Sequence, residues 1–323
     1  MPVVQCFPVK VRKMMATFGN FLKIVFLSPS EPRLRAGWRL LLQTLLFLIA
    51  IVCAGVPFAL LRESPSASGL MRLLSEVANL LAVTFSVLVA RRYLDRRSFV
   101  SLGLRLDRQA LLDILIGILI TLVMMGLISL TMQALGWARV EGFAWQTERA
   151  GHSPLAGFRQ VAGNTLLYFL VFVMVGWEEE LLSRGYHLQT IASGTNLLWG
   201  TVISSVIFGV LHLGNPHATW AAVLGIFCAG LFLACGYLWS GQLWLPIGLH
   251  IGWNFFEGVV FGFPVSGLET YRLMQMAVSG PELWTGGAFG PEAGLIILPA
   301  MAVGTLLLYL YTRRRRKPTA LVS

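Results

Sequence analysis

Three consecutive acidic residues, Glu178, Glu179 and Glu180, closely follow the apolar stretch 166–175, and Arg184 lies four residues after Glu180. A charged side chain at the centre of a membrane helix costs about 3 kcal/mol, so such residues are kept for pairing or for function. The i,i+4 spacing predicts an ion pair between Glu180 and Arg184. Adjacent helical residues point about 100° apart, so Glu179 faces other surroundings: a second charge, a metal ion or a water-filled cavity. A carboxylate so placed can act as a general base toward water.

Two further polar pairs interrupt later apolar stretches of the chain. His212 comes four residues after Phe208, and Asn254 comes four residues after His250. This spacing puts the members of each pair on one face of a helix. Glu257 continues the face of His250, and we expect its carboxylate to accept a hydrogen bond that orients the imidazole.

The composition indicates that these residues are carried by membrane helices. Of the 323 residues 56% are hydrophobic and 12% are charged, and the mean hydropathy is +0.72. Soluble domains carry about 25% charged residues, and an apolar helix needs about 20 residues to cross a bilayer. The sequence therefore predicts an all-α, polytopic helical bundle with about eight transmembrane helices. The predicted spans are 38–61, 73–90, 111–135, 163–190, 196–213, 219–239, 244–263 and 291–311.

The positions of the basic residues predict the orientation of the bundle. With eight spans, 19 Lys and Arg residues fall on the side of the N-terminus and 6 on the other side. This asymmetry predicts that both termini are cytoplasmic, and we expect the membrane to be a bacterial plasma membrane. We expect a basic cytoplasmic tail at 1–37, an integral membrane domain at 38–311 and a second basic tail at 312–323. The net charge of +10 then reflects contact with the lipid bilayer, and no nucleic-acid-binding module accompanies it.

The three polar elements together resemble the CPBP family of intramembrane endopeptidases, also called the CAAX-protease and bacteriocin-processing family. The family pattern is Glu-Glu-x-x-x-Arg, then Phe-x-x-x-His, then His-x-x-x-Asn on three separate membrane helices. Here it corresponds to Glu179–Arg184, Phe208–His212 and His250–Asn254, within a core of about 160–263. Glu178 is an addition to the pattern. The resemblance implies an eight-helix, all-α fold and hydrolysis of a peptide bond in a membrane-associated or lipidated substrate.

Peptide hydrolysis assigns a role to each of these residues. Amide cleavage needs an activated water, a site for the oxyanion and a proton for the leaving amine. We expect Glu179 to be the base, His212 to share the water, and His250 and Asn254 to face the oxyanion, with Glu180, Arg184 and Glu257 in support. Glu179, His212 and His250 could also form a catalytic Zn²⁺ site with an open position for water. The spacing leaves the metal-dependent and metal-free mechanisms open.

Two other classes of function fit the same residues. Intramembrane acids and histidines can form the proton relay of an ion-coupled transporter, or they can hold a catalytically silent scaffold or immunity protein together. For a protease we expect the peptide to enter from the cytoplasmic side, because the acids precede a turn that is predicted to be cytoplasmic. The substrate, its cleavage site and the oligomeric state do not follow from the sequence.

Overall fold

The computed structural model describes residues 20–21, 23–29, 31–59, 68–147 and 154–313, and most of these residues are helical. We number the α-helices in chain order. They are α1 (Ala36–Ala59), α2 (Ser68–Val89), α3 (Arg108–Ala134), α4 (Ala144–Thr147), α5 (Pro154–Glu180), α6 (Gln189–Gly194), α7 (Leu197–Leu211), α8 (Trp220–Ser240), α9 (Trp244–Asn254), α10 (Glu282–Thr285) and α11 (Ile297–Thr312).

Each predicted span corresponds to a helix, which confirms a polytopic helical membrane protein. Among the described residues, six helical stretches are long and apolar enough to cross a membrane. They are Ala36–Gly55, Leu73–Leu94, Arg108–Ala134, Leu155–Gly194, Leu197–Gly214 and Trp220–Ser240. The last two predicted spans correspond to α9, which continues as a π-helix to Val260, and to the 16-residue α11. Because both are short, eight crossings stay a prediction.

Polar caps determine where several of these helices begin. The side chain of Asp107 accepts a hydrogen bond from the backbone N–H of Ala110, and Asn196 accepts one from Trp199, each at 3.0 Å. Such caps satisfy backbone donors that the first turn of a helix leaves free. The Asn196 cap starts α7, whose last residue, Leu211, directly precedes His212.

The two helices that carry the acidic residues and His250 change their hydrogen bonding directly after these residues. A π-helix covers Leu181–Leu188 after α5, and another covers Phe255–Val260 after α9. In a π-helix each bond spans five residues instead of four, so the side chains that follow point differently than they would in an α-helix. Such segments are frequent at functional sites.

Glycines allow α9 to approach α3 closely. A Cβ at Gly252 would collide with the Thr121 hydroxyl, and a Cβ at Gly248 would collide with the backbone of Ile114. The two glycines lie four residues apart on one face of α9, which is the small-residue spacing that brings membrane helices into contact. This packing fixes the helix that carries His250 and Asn254.

Beside the helices, the described residues contain one two-stranded antiparallel sheet. Strand β1 (Ala138–Phe143) pairs with β2 (Met274–Val278), with Ala138 opposite Val278 and a register shift between Val140 and Gly142. The strands belong to the connections 136–162 and 264–290, which the eight predicted spans place on the same side of the membrane. Strands of five or six residues are too short to give a clear periodicity, so the pairing became visible only in the structure.

A buried ion cluster joins α1 to the end of α2. Asp95 forms ion pairs with Arg39 and with Arg91, the latter at 3.2 Å, and Arg33 lies 3.7 Å away. All four side chains are buried. Three of the basic residues that indicate the orientation therefore contact an internal carboxylate and not the lipid headgroups.

Candidate active site

One pocket of about 650 Å³ contains the residues on which the sequence interpretation depends. Glu179, His212, His250 and Asn254 all line it, although they come from three different helical elements. Glu179 projects from the last turn of α5, His212 follows α7, and His250 and Asn254 lie one turn apart on α9. The structure thus brings together the four side chains that the sequence predicted to meet.

The imidazole of His250 is held by an acid from another helix. Its Nδ1–H donates to Oε1 of Glu180 at 2.8 Å, because a carboxylate can only accept. The same oxygen accepts a hydrogen bond from Arg184 at 2.7 Å, as the i,i+4 spacing predicted. Arg184 also donates to the backbone carbonyl of Gly230 at 3.0 Å. The Glu180–Arg184 ion pair therefore fixes the tautomer of His250, with the proton on Nδ1. The Nε2 atom of His250 then faces the pocket without a proton.

The imidazole of His212 is held by its own helix. Its Nδ1–H donates to the backbone carbonyl of Phe208 at 2.8 Å, one turn earlier. Nε2 of His212 lies 4.0 Å from Oε2 of Glu179, and Nε2 of His250 lies 3.7 Å from the same oxygen. That oxygen accepts no hydrogen bond from any described residue. Two imidazole nitrogens and one carboxylate oxygen thus converge at distances that suit one shared small group.

The ring of Phe208 contacts three of these polar residues. Its centroid lies 5.0 Å from that of His212 and 6.1 Å from that of His250, both in edge-on geometry. The guanidinium carbon of Arg184 lies 4.3 Å from the same centroid, in a cation–π arrangement. Phe208 therefore packs against both imidazoles and against the guanidinium of the Glu180–Arg184 ion pair.

The donor atoms at Glu179, two imidazole nitrogens and one carboxylate oxygen, are of the types that bind zinc. Both imidazoles present Nε2 while Nδ1 is bound to a carboxylate or a carbonyl, as in many zinc sites. Three ligands at about 2.0 Å from zinc would lie about 3.3 Å apart, whereas the observed separations are 3.7 and 4.0 Å. Within the described residues no three such groups already stand at coordination distance. Coordination by Glu179, His212 and His250 would need both of these distances to shorten.

The predicted role of Glu257 as the acceptor for His250 is wrong, because Glu180 accepts that hydrogen bond. Glu257 lies in the π-helix two turns beyond His250 and is fully buried. Neither of its carboxylate oxygens accepts a hydrogen bond from a described residue. The N–H of the nearby Trp253 donates instead to Glu292 at 3.0 Å.

Sequence reasoning missed Glu292 and Ser266, which also line the pocket. Glu292 precedes α11 in a connection without a recognised motif, and Ser266 lies in a turn. The only signal in the sequence was an acidic residue in the otherwise apolar stretch 291–301. Glu292 lies at the edge of the predicted span 291–311, where an acidic residue is not unusual. Its role depends on tertiary contacts with residues 26 and 39 positions away, which no local pattern in the sequence indicates.

The side from which a peptide enters stays a prediction, but in the predicted orientation the lining of the pocket favours the side opposite to the expected cytoplasmic one. The pocket is lined by Asn215, Ser266, Leu268 and Thr270, which lie in the connections after α7 and α9. Those connections fall on the side opposite the basic segments. In the described part of the chain, no residue of the basic connection 91–107 lines the pocket.

Comparison with known proteins agrees with the resemblance found in the sequence. A family model described as "Type II CAAX prenyl endopeptidase Rce1-like" matches residues 161–256, which contain all three polar elements. The chain is 29% identical over 111 residues to the "Putative membrane peptidase YdiL" of Bacillus subtilis strain 168. It is 34% identical over 89 residues to the "Uncharacterized protein YyaK" of the same organism. The segment with the three elements is therefore similar to CAAX-type membrane peptidases.

These similarities cover part of each protein. The match to YdiL spans 34% of this chain and 41% of YdiL, and the match to YyaK spans 24% and 27%. The chain thus matches less than half the length of these curated relatives. Ser266 and Glu292 lie beyond the segment that matches the family model.

Proposed function

We propose that this protein is an intramembrane endopeptidase that hydrolyses a peptide bond in a membrane-associated or lipidated peptide. The observation that carries the proposal is the convergence of His212 Nε2 and His250 Nε2 on Oε2 of Glu179, at 4.0 and 3.7 Å. The match of residues 161–256 to the CAAX endopeptidase family supports the reaction type.

In the proposed reaction Glu179 is the general base. A water placed between Glu179 and the two imidazoles donates one hydrogen bond to the carboxylate and the other to an Nε2 atom. These two hydrogen bonds orient a lone pair of the water oxygen toward the substrate carbonyl. As the oxygen–carbon bond forms, the proton passes to Glu179. The carbon–nitrogen bond then breaks, and the protonated Glu179 returns the proton to the leaving amine.

Asn254 and His250 face the oxyanion in this proposal. The Asn254 amide is a neutral donor, one helical turn after His250 and on the same face. Because Nδ1–H of His250 is bound to Glu180, Nε2 can donate to an oxyanion only when the ring is protonated. Glu180 stabilises that imidazolium, as a carboxylate behind a catalytic histidine does elsewhere. If zinc binds, Glu179, His212 and His250 would hold it, and the ion would polarise the water.

We also propose that the substrate reaches the site from the side of the connection 264–290. The pocket extends to this connection and to the turn at Asn215, and the positive-inside pattern assigns that side to the exterior. A peptide anchored in the outer half of the bilayer fits this access.

Purified protein in nanodiscs tests the proposal. It is incubated with a library of lipidated and unlipidated membrane peptides, with and without a chelator, and products are identified by mass spectrometry. Glu179→Gln keeps the size of the side chain but removes the base, so the rate should fall at least ~100-fold. Glu178→Gln tests the neighbouring acid, and Glu282→Gln, at an exposed position, is the control.

The outcomes separate the competing functions. Cleavage that needs Glu179 but survives chelation favours direct activation of water, and cleavage lost on chelation and restored by Zn²⁺ favours the metal mechanism. Normal turnover by Glu179→Gln together with a strong loss in Glu178→Gln would show that the base is misassigned. A protein that cleaves no peptide but moves protons across the bilayer in a Glu179-dependent way would be a transporter.

A further inference from the structure

The carboxylate of Glu292 is bound on both of its oxygens at the edge of the pocket. Oε1 accepts a hydrogen bond from the indole N–H of Trp253 at 3.0 Å. Oε2 accepts from the backbone N–H of Ser266 at 2.7 Å and from its hydroxyl at 2.6 Å. Glu292 is only 4% exposed. A buried carboxylate with three donors is a fixed element, because each lost donor would leave charge uncompensated.

Each donor is connected to an element that carries a residue of the candidate active site. Trp253 directly precedes Asn254 and lies in the turn after His250 on α9. The carbonyl of Ser266 accepts a hydrogen bond at 3.0 Å from the side chain of Asn215, which ends the short helical turn that contains His212. Through Trp253 and Ser266, Glu292 therefore connects the Asn254 helix to the His212 turn.

The backbone at Ser266 needs such an anchor. Its φ of 46° lies in the left-handed region, which residues other than glycine rarely adopt. This conformation persists only where surrounding contacts hold it. Glu292 binds both the N–H and the hydroxyl of Ser266, and the Val265–Leu268 pairing closes the same turn. The turn that forms one wall of the pocket is thus held in a conformation that depends on Glu292.

We propose that Glu292 is a positioning residue for peptide hydrolysis, which sets Asn254 through Trp253 and the His212 turn through Ser266 and Asn215. The proposal rests on the proposed function, and it concerns a residue outside the segment that matches the family model. Glu292 does not need to touch the substrate. Its effect is on the placement of the oxyanion donor and of the imidazole opposite it.

The carboxylate form is essential to this role. A glutamine at 292 has one acceptor oxygen, so it can satisfy Trp253 or Ser266 but not both. Glu292→Gln should therefore lower kcat per folded molecule by about 10- to 100-fold, the range found for groups that orient reacting residues. KM should change less than kcat, because Glu292 orients the reacting residues and most of the pocket lining does not contact it. Glu282→Gln, which alters an exposed acid of the same connection, should retain normal turnover.

Two variants test separately the connection through Trp253 and the connection through Ser266 and Asn215. They also test the proposal if Glu292→Gln folds poorly. Trp253→Phe keeps a ring but removes the donor to Oε1, and Asn215→Ala removes the link from Ser266 to the His212 turn. Both should lower kcat. Trp253→Phe combined with Glu292→Gln should lose less than the product of the single effects, because the two residues act in one network.

The measurements are kcat and KM of cleavage, normalised to folded protein, together with a thermal melting curve in detergent. The proposal is overturned if Glu292→Gln loses activity only in proportion to folded protein, or if Trp253→Phe and Asn215→Ala both keep normal kcat. These results leave the proposed function intact as long as Glu179→Gln is inactive. A fully active Glu179→Gln would instead contradict the assigned base, whatever Glu292 does.

Discussion

The two helices that bring imidazoles to the pocket, α7 and α9, orient them by different means. On α9, the side chain of His250 is 8% exposed and donates to an acid from α5. At the end of α7, the side chain of His212 is 16% exposed and donates to a backbone carbonyl of its own helix. One imidazole is therefore oriented by tertiary contact and the other by local structure.

This difference indicates how each side of the pocket responds to change. The α9 side is close-packed, with all residues from Leu245 to Asn254 buried, and its glycines contact α3 directly. In the turn that contains His212, by contrast, none of the three residues is buried. We infer that close packing fixes the α9 side, while the His212 side is held by hydrogen bonds, from His212 to the Phe208 carbonyl and from Asn215 to the Ser266 carbonyl.

The largest loss of kcat is expected from substitution of Asn254, the residue of α9 that is proposed to donate to the oxyanion. Asn254→Ala removes a neutral donor and should lower kcat by about 10²–10³-fold, with KM nearly unchanged. Asn254→Asp removes the same donor at almost the same size and should be no better. Steady-state cleavage kinetics measure both variants. Full activity of either variant would show that Asn254 does not stabilise the oxyanion. His250 would then be the one residue of α9 with a proposed role in the reaction.

A smaller effect is expected when the tertiary hold on His250 is weakened. Glu180→Gln removes the negative charge behind the imidazole and should reduce kcat per folded molecule by about 10- to 100-fold. Arg184→Lys weakens the same ion pair but leaves that charge beside His250, so it should mainly lower the yield of folded protein. Activity is normalised to the monodisperse fraction from size-exclusion chromatography. Equal losses of kcat in both variants would show that His250 does not depend on Glu180 alone.

The smallest effect on chemistry is expected from a change in the packing of α9. A Cβ at Gly252 would collide with the Thr121 hydroxyl and lie 2.8 Å from the Cα of Ile118, so Gly252→Ala should destabilise the fold by about 1–3 kcal/mol. Gly126→Ala on α3 is the matched control, because a Cβ there meets nothing within 4 Å. Denaturant or thermal unfolding in detergent measures both. A Gly252→Ala protein as stable as wild type would mean that α9 is not held by close packing.

The sequence by itself determined the class of fold and most of the candidate site. Apolar stretches of about 20 residues predict membrane helices, because a helix forms its backbone hydrogen bonds within one segment. Irregular structure would leave backbone N–H and C=O groups unpaired in lipid. The i,i+4 spacings of Glu180 with Arg184 and of His250 with Asn254 predicted which side chains share a helix face, since those contacts depend only on local geometry.

The tertiary structure alone decided which acid orients His250, how the connections pair and where Glu292 lies. Glu180 and His250 are 70 residues apart, and Ser266 and Glu292 are 26 apart. No periodicity in the sequence encodes such distances, because they depend on how the helices pack and on the π-helical turns that redirect the chain. Glu257 shows the limit directly: its spacing placed it near His250, but the change to a π-helix and the packing around Trp253 give that role to Glu180.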